Sequence, residues 1–211
     1  MMVVDVARRR WEGTNVVDPW GLDHDLVALA DPVMDLRWSI ALDGAEGIPK
    51  EGPAVLVANR RFGISEPLVL GRAVRRATGR TARILGVPDV PPIGPALRRL
   101  GGAVDRPEEL ASLLRAGELV MVGLGVSVRW RHRAGSLDPR ALAPALRQRV
   151  PVLPTAVIGQ ELGRAWRVVV GEPLPLPAGA GPLAVAELAE SARGGVQALL
   201  DEALPPRWLL H

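Results

Sequence analysis

Short apolar runs separated by helical ones constrain this chain more than any other feature. Ala54-Val55-Leu56-Val57-Ala58 reads as an apolar strand that ends at Asn59, enters a turn, and reaches a helix start at Ser65-Glu66-Pro67. The pattern then repeats. Strands are predicted over 82–87, 119–122, 152–158 and 166–170, the last with Arg167 facing outward. Helices are predicted over 66–77, with Ser65 as cap, and over about 95–100. A further helix opens at Asp105 or the turn beside it, carries Pro107 and Glu108 in its first turn where both are favoured, and closes at Gly117. The segment 139–147 reads as a helix with a basic last turn, and 183–204 as a terminal helix with the apolar stripe Leu188, Ala192, Val196 and Leu199. Upstream, Asp23 or Asp25 caps a helix running to about residue 31, which Pro32 interrupts or restarts. The alternation Leu36, Trp38, Ile40, Leu42 reads as a strand. Strands spaced by helices predict one α/β domain, a largely parallel mixed sheet flanked by helices on both faces. The expected organisation is a loose polar arm over 1–21, the domain over 22–204 and a tail over 205–211.

Composition narrows the chemistry. A length of 211 residues suits one domain with a sizeable core. Hydrophobic content of 48% and a mean hydropathy of +0.16 argue against disorder. There is no Cys, which excludes disulfides, thiolate metal sites and cysteine nucleophiles. The three histidines, His24, His132 and His211, are too scattered for a zinc site, so neither a metal nor a cofactor is expected. The isoelectric point near 10.7 overstates basicity, because the net charge is only +3 and Lys50 is the single lysine. With no Cys or Tyr, little titrates between neutrality and the arginines, so no nucleic-acid partner is expected. The segment 1–13 lacks the apolar stretch of a signal peptide, and no run of eighteen apolar residues occurs. A cytoplasmic protein is the expectation, with peripheral contact at the inner membrane face as the further option. Arg8-Arg9-Arg10-Trp11 reads first as a plain polar arm and second as a contact for anionic lipid.

Four blocks carry a resemblance. The first is the strand–Asn59–turn segment. The second is Gly101-Gly102-Ala103-Val104-Asp105-Arg106, the third Val122-Gly123-Leu124-Gly125, and the fourth Val150-Pro151-Val152-Leu153-Pro154. In this order, over roughly residues 38–172, they resemble the glycerophospholipid acyltransferases of the 1-acylglycerol-3-phosphate type. That family carries Asn-His-(four residues)-Asp at the first block, where the His is general base on the acceptor hydroxyl and the Asp orients it. The Arg ending its glycine-rich block binds the acceptor phosphate, and the third block reads Phe-Pro-Glu-Gly. The resemblance therefore implies acyl transfer from acyl-CoA or acyl carrier protein to an anionic lysolipid, with Arg106 as phosphate contact.

The differences fall on the chemistry. Arg60 occupies the His slot, and a guanidinium has no acceptor lone pair and stays protonated. Leu124 stands at the Glu, and Ser65 or Glu66 near the Asp. The expectation is thus a diverged member that binds an acyl-CoA or phosphate-bearing lipid through Arg60 and Arg106, with Gly102, Gly123, Gly125 and the loop residue Arg129 as further ligand contacts. Two alternatives stand beside it. One is a working acyltransferase using Glu66 or His132 as substitute base. The other is a non-catalytic interaction module of lipid metabolism. Each residue also has a simpler reading: Arg60 and Arg61 as a solvated pair, Glu66 as a first-turn carboxylate favoured by the helix dipole or a partner of Arg60, Arg106 as a surface ion pair, Arg129, Arg131 and Arg133 as a solvated charge run, and His132 as an exposed loop residue.

Overall fold

A computed structural model describes residues 6, 8–9, 11–13, 16–60, 65–126 and 133–203. In chain order the elements are α1 (His24–Arg37), β1 (Ser39–Asp43), β2 (Ala54–Ala58), α2 (Ser65–Thr78), β3 (Arg83–Leu85), α3 (Ile93–Arg99), β4 (Gly102–Ala103), α4 (Pro107–Arg115), β5 (Leu119–Gly123), α5 (Ala143–Arg147), β6 (Val152–Gly159), β7 (Ala165–Val170) and α6 (Pro182–Ala203). A 3-10 turn over Pro139–Leu142 leads directly into α5.

The strands form one sheet in the order β1-β7-β6-β2-β5-β3-β4. β2 is central, with Leu56 beside Met121 of β5 and Leu153 of β6, both parallel. β7 alone pairs antiparallel with its neighbour β6, because the two are joined by a tight turn closed by the Gly163 N–H donating to the Gln160 carbonyl (2.8 Å). The single-domain, largely parallel α/β architecture expected from the sequence is the one observed.

Side-chain alternation on β2 explains the layering. Every residue of this strand is buried, so it has no solvent face. Val55 and Val57 point to one side, where they meet Leu110, Leu113 and Leu114 of α4 and Leu188, Ala192 and Val196 of α6. Ala54, Leu56 and Ala58 point to the other, where they meet Val69, Leu70, Ala73 and Val74 of α2. The apolar stripe of α6 continues to Leu200 rather than the expected Leu199, which is only partly buried.

The amino-terminal elements depart from expectation. α1 is capped by Asp23, whose carboxylate accepts from the Leu26 N–H (2.9 Å), and it runs through Pro32 to Arg37. Leu36 is therefore helical, and the strand begins only at Ser39. Tertiary contacts favour the longer helix. Arg72 of α2 grips Asp35 with two nitrogens (2.6 and 2.9 Å), Arg75 pairs with Asp31 (3.0 Å), and Arg37 donates to the carbonyls of Glu161 and Gly163. Among the described residues, no helix is long and apolar enough to cross a membrane.

Residues 16–23 are held down rather than loose. Arg83 opens β3 with 1% side-chain exposure and donates to Asp18 and to both oxygens of Glu118 (3.2 Å each). Its guanidinium also sits 5.7 Å from the Trp20 ring centroid. Asp18 in turn accepts from the Trp20 and Leu22 N–H groups (2.9 and 2.8 Å). Burial pushes the Asp18 carboxyl up, but Arg83 and these two amides outweigh it and hold the group below its ordinary value.

Asp18→Asn should therefore lower stability by about 1–3 kcal/mol in urea unfolding at neutral pH, since it weakens a charge-assisted bond to a buried donor. A carboxyl with a depressed folded value stabilises above the unfolded value, and that contribution is lost as pH falls through the folded one. The difference between wild type and variant should accordingly shrink on acidification below the ordinary carboxylate range.

Candidate functional site

The site begins where β2 stops. Asn59 is buried, and its amide behaves like one more rung of the ladder to β6. Its Nδ2 donates to the Val157 carbonyl (2.9 Å) and its Oδ1 accepts from the Val157 N–H (2.7 Å). The next residue, Arg60, then turns toward β5 and β3. Its stem lies over Gly123, where an added Cβ would come within 3.3 Å of Arg60 Cδ. Its Nη1 reaches the end of β3, 3.7 Å from where a Cβ on Gly86 would be. Gly123 thus makes room for the arginine stem, while a Cβ at Gly86 would only touch its tip.

This space opens into a cavity of about 320 Å³ at the carboxyl ends of β2, β3 and β5. Its walls are Arg60, Leu85, Gly86, Asp105, the run Val122–Val126, and Ser136, Leu137, Asp138 and Ala141. The far wall is a chain segment folded back against the end of β5. Gly125 donates to the Ser136 carbonyl (2.6 Å), and Ala134 donates to Gln197 of α6 (2.9 Å). The crossing is so close that a Cβ on Gly135 would fall 1.7 Å from the Gly125 carbonyl oxygen. Leu124 is fully buried and belongs to the core beneath the cavity, so the third block supplies apolar packing rather than a carboxylate.

Arg60 is the electrostatic centre of this space. Its guanidinium makes no hydrogen bond or ion pair with any described residue. The pair with Glu66 considered from the sequence is not formed: Glu66 is buried in the first turn of α2 and does not line the cavity. Asp105 and Asp138 also line it, and neither reaches Arg60 as an ion pair. Asp138 additionally caps the 3-10 turn by accepting from the Arg140 N–H (2.9 Å).

The structure brings Arg60, Gly123 and Gly125 to one cavity and leaves Gly102 and Arg106 out of its lining. Gly102 is required for packing: a Cβ there would lie 2.8 Å from Val87 and 2.9 Å from the Leu97 carbonyl. Arg106 sits at the N-cap of α4 with 65% side-chain exposure, 3.9 Å from Asp89 across the surface. Arg129, Arg131 and His132 lie outside the described residues, and Arg133 is exposed. Among the described residues, no cluster of three or more His, Asp or Glu could hold a metal ion. Gly86, Asp105 and Asp138 line the cavity without any motif in the sequence that marks them as cavity residues. The Asp138-Pro139 pair, a helix-start signal, was the available pointer to the last.

No family model matches the chain. Uncharacterized proteins of Mycobacterium tuberculosis and Mycobacterium bovis are each 30% identical over 177 residues, 75% of this chain and 49% of theirs. One of Mycobacterium leprae is 29% identical over the same length. The chain thus spans about half the length of the curated relatives it matches. Among solved structures, the 1-acyl-sn-glycerophosphate (LPA) acyltransferase PlsC from Thermotoga maritima superposes with a TM-score of 0.63 at 18% identity, covering 85% of this chain and 80% of that one. The fold is therefore that of an acyltransferase of this kind.

Gly135→Ala should cost about 1–3 kcal/mol, because backbone must move to admit the methyl group. The wall formed by Ser136–Asp138 should open with it. Urea unfolding, with a crystal structure of the variant, checks both outcomes.

Proposed function

We propose that this chain is a diverged protein of acyltransferase fold that holds a phosphate-bearing lipid or acyl-CoA in the Arg60 cavity and lacks the family's proton-transfer machinery. The observation carrying this reading is a guanidinium with no partner among the described residues, facing an open cavity at the carboxyl end of a parallel sheet. Ligands of open α/β sheets bind at that end. A guanidinium pairs with phosphate through two parallel hydrogen bonds, and Arg60 has its donors available for this.

The same residue argues against ordinary esterification. General-base catalysis by a positioned side chain contributes about 10²–10⁴-fold, and a guanidinium accepts no proton. Leu124 supports this reading, since it adds apolar surface where the resembling family has a carboxylate. Glu66, the substitute base considered from the sequence, stands apart from the cavity lining. An open cavity of this size also favours a ligand-binding role over a pure interaction module, for which a collapsed pocket is expected.

Thermal stabilisation of the purified chain by a panel of phosphate-bearing lysolipids and acyl-CoA tests the reading. At least one member should raise the melting temperature, and Arg60→Gln should abolish the shift while leaving the unliganded melting temperature within a few degrees. Acyl transfer to the same lysolipids should stay at the level of a protein-free control. No shift with any ligand, a shift that survives Arg60→Gln, or robust esterification would each contradict it.

A further inference from the structure

The cavity holds more charge than a phosphate requires. Among the described residues of its lining, two carboxylates, Asp105 and Asp138, stand beside the one guanidinium of Arg60, and no ion pair joins them to it. The Asp105 side chain makes no hydrogen bond to a described residue. Asp138 spends one oxygen on the Arg140 N–H (2.9 Å) and keeps the other. Taken as built, the described walls carry one positive and two negative formal charges.

This balance discriminates between phosphate ligands. A phosphate monoester carries close to two negative charges at neutral pH. Placed here it would gain Arg60 and be opposed by both carboxylates. A phosphodiester carries a single negative charge, and if its second arm ends in an ammonium the molecule matches the cavity at both poles. We propose that the ligand of this cavity is such a zwitterion: an amine-bearing phosphodiester headgroup, its phosphate on Arg60 and its ammonium between Asp105 and Asp138. Ser136, on the same wall, adds a hydroxyl that either arm can use. The assignment rests on the Arg60 reading above and narrows it to one headgroup class.

Three lysolipids with the same acyl chain, used below their micelle concentrations, isolate the contribution of the amine. Lysophosphatidylethanolamine has the diester and the ammonium, lysophosphatidylglycerol the diester alone, and lysophosphatidate the monoester. Titration calorimetry on the full chain should show the ethanolamine lipid binding roughly three- to tenfold tighter than either other, the range expected for two partly exposed ion pairs. The double variant Asp105→Asn, Asp138→Asn should erase that preference while retaining binding. Asparagine also caps a helical turn, so the fold is preserved, which circular dichroism confirms. Equal or tighter binding of the glycerol lipid or the monoester by wild type, or an ethanolamine preference that survives in the double variant, overturns the zwitterion and leaves the Arg60 reading intact. Failure of all three to bind overturns the zwitterion, and failure of acyl-CoA to bind as well overturns the Arg60 reading.

Discussion

Two hydrogen bonds between the Asn59 amide and the backbone of Val157 decide the geometry of everything above the sheet. They extend the β2–β6 ladder by one side-chain rung at the point where the main chain leaves it. A buried amide satisfied in this way is costly to disturb, because breaking it strands a donor and an acceptor away from water. With Asn59 fixed toward β6, Arg60 can only turn the other way, over Gly123 and toward Gly86. The place of Arg60 at the carboxyl end of the central strands, on the wall of the cavity, follows from that rung.

The two ends of the sheet use arginine in opposite ways. At the amino end of β3, Arg83 is enclosed, and Asp18 and Glu118 offset the cost of its burial. Burial alone would lower its proton affinity, and the carboxylates more than restore it. These two ion pairs hold the segment before α1 in place, and a side chain only 1% exposed is out of reach of a ligand. At the carboxyl end, Arg60 has no such partner and faces open space. The same side chain is structural where carboxylates reach it and available for a ligand where they do not.

Much of this was legible in the sequence. The apolar run Ala54–Ala58, its end at Asn59, and the strands at 119–123 and 152–159 follow from local patterning that the tertiary structure does not override. α1 did not, because ion pairs from Arg72 and Arg75 and two carbonyl contacts from Arg37 carry the helix past Pro32. Alternation at Leu36 and Trp38 gave no sign of those partners. Within the site, Arg60 was visible because its position relative to a strand end is local. Asp138 was not, since it reaches the cavity only when residues 134–138 fold back on Gly125, a crossing set by Gly135 and Gln197 far along the chain. Arg106 stood out by motif alone, and in three dimensions its neighbour Asp105 faces the cavity instead.

The central claim concerns where a phosphate sits. A crystal structure of the chain with a bound phosphate-bearing lysolipid tests it most directly. The account predicts phosphate oxygens at hydrogen-bond distance from the Arg60 guanidinium, in the cavity that Gly86 and Gly123 line. A phosphate bound at Arg106 with Arg60 turned away into solvent would contradict it.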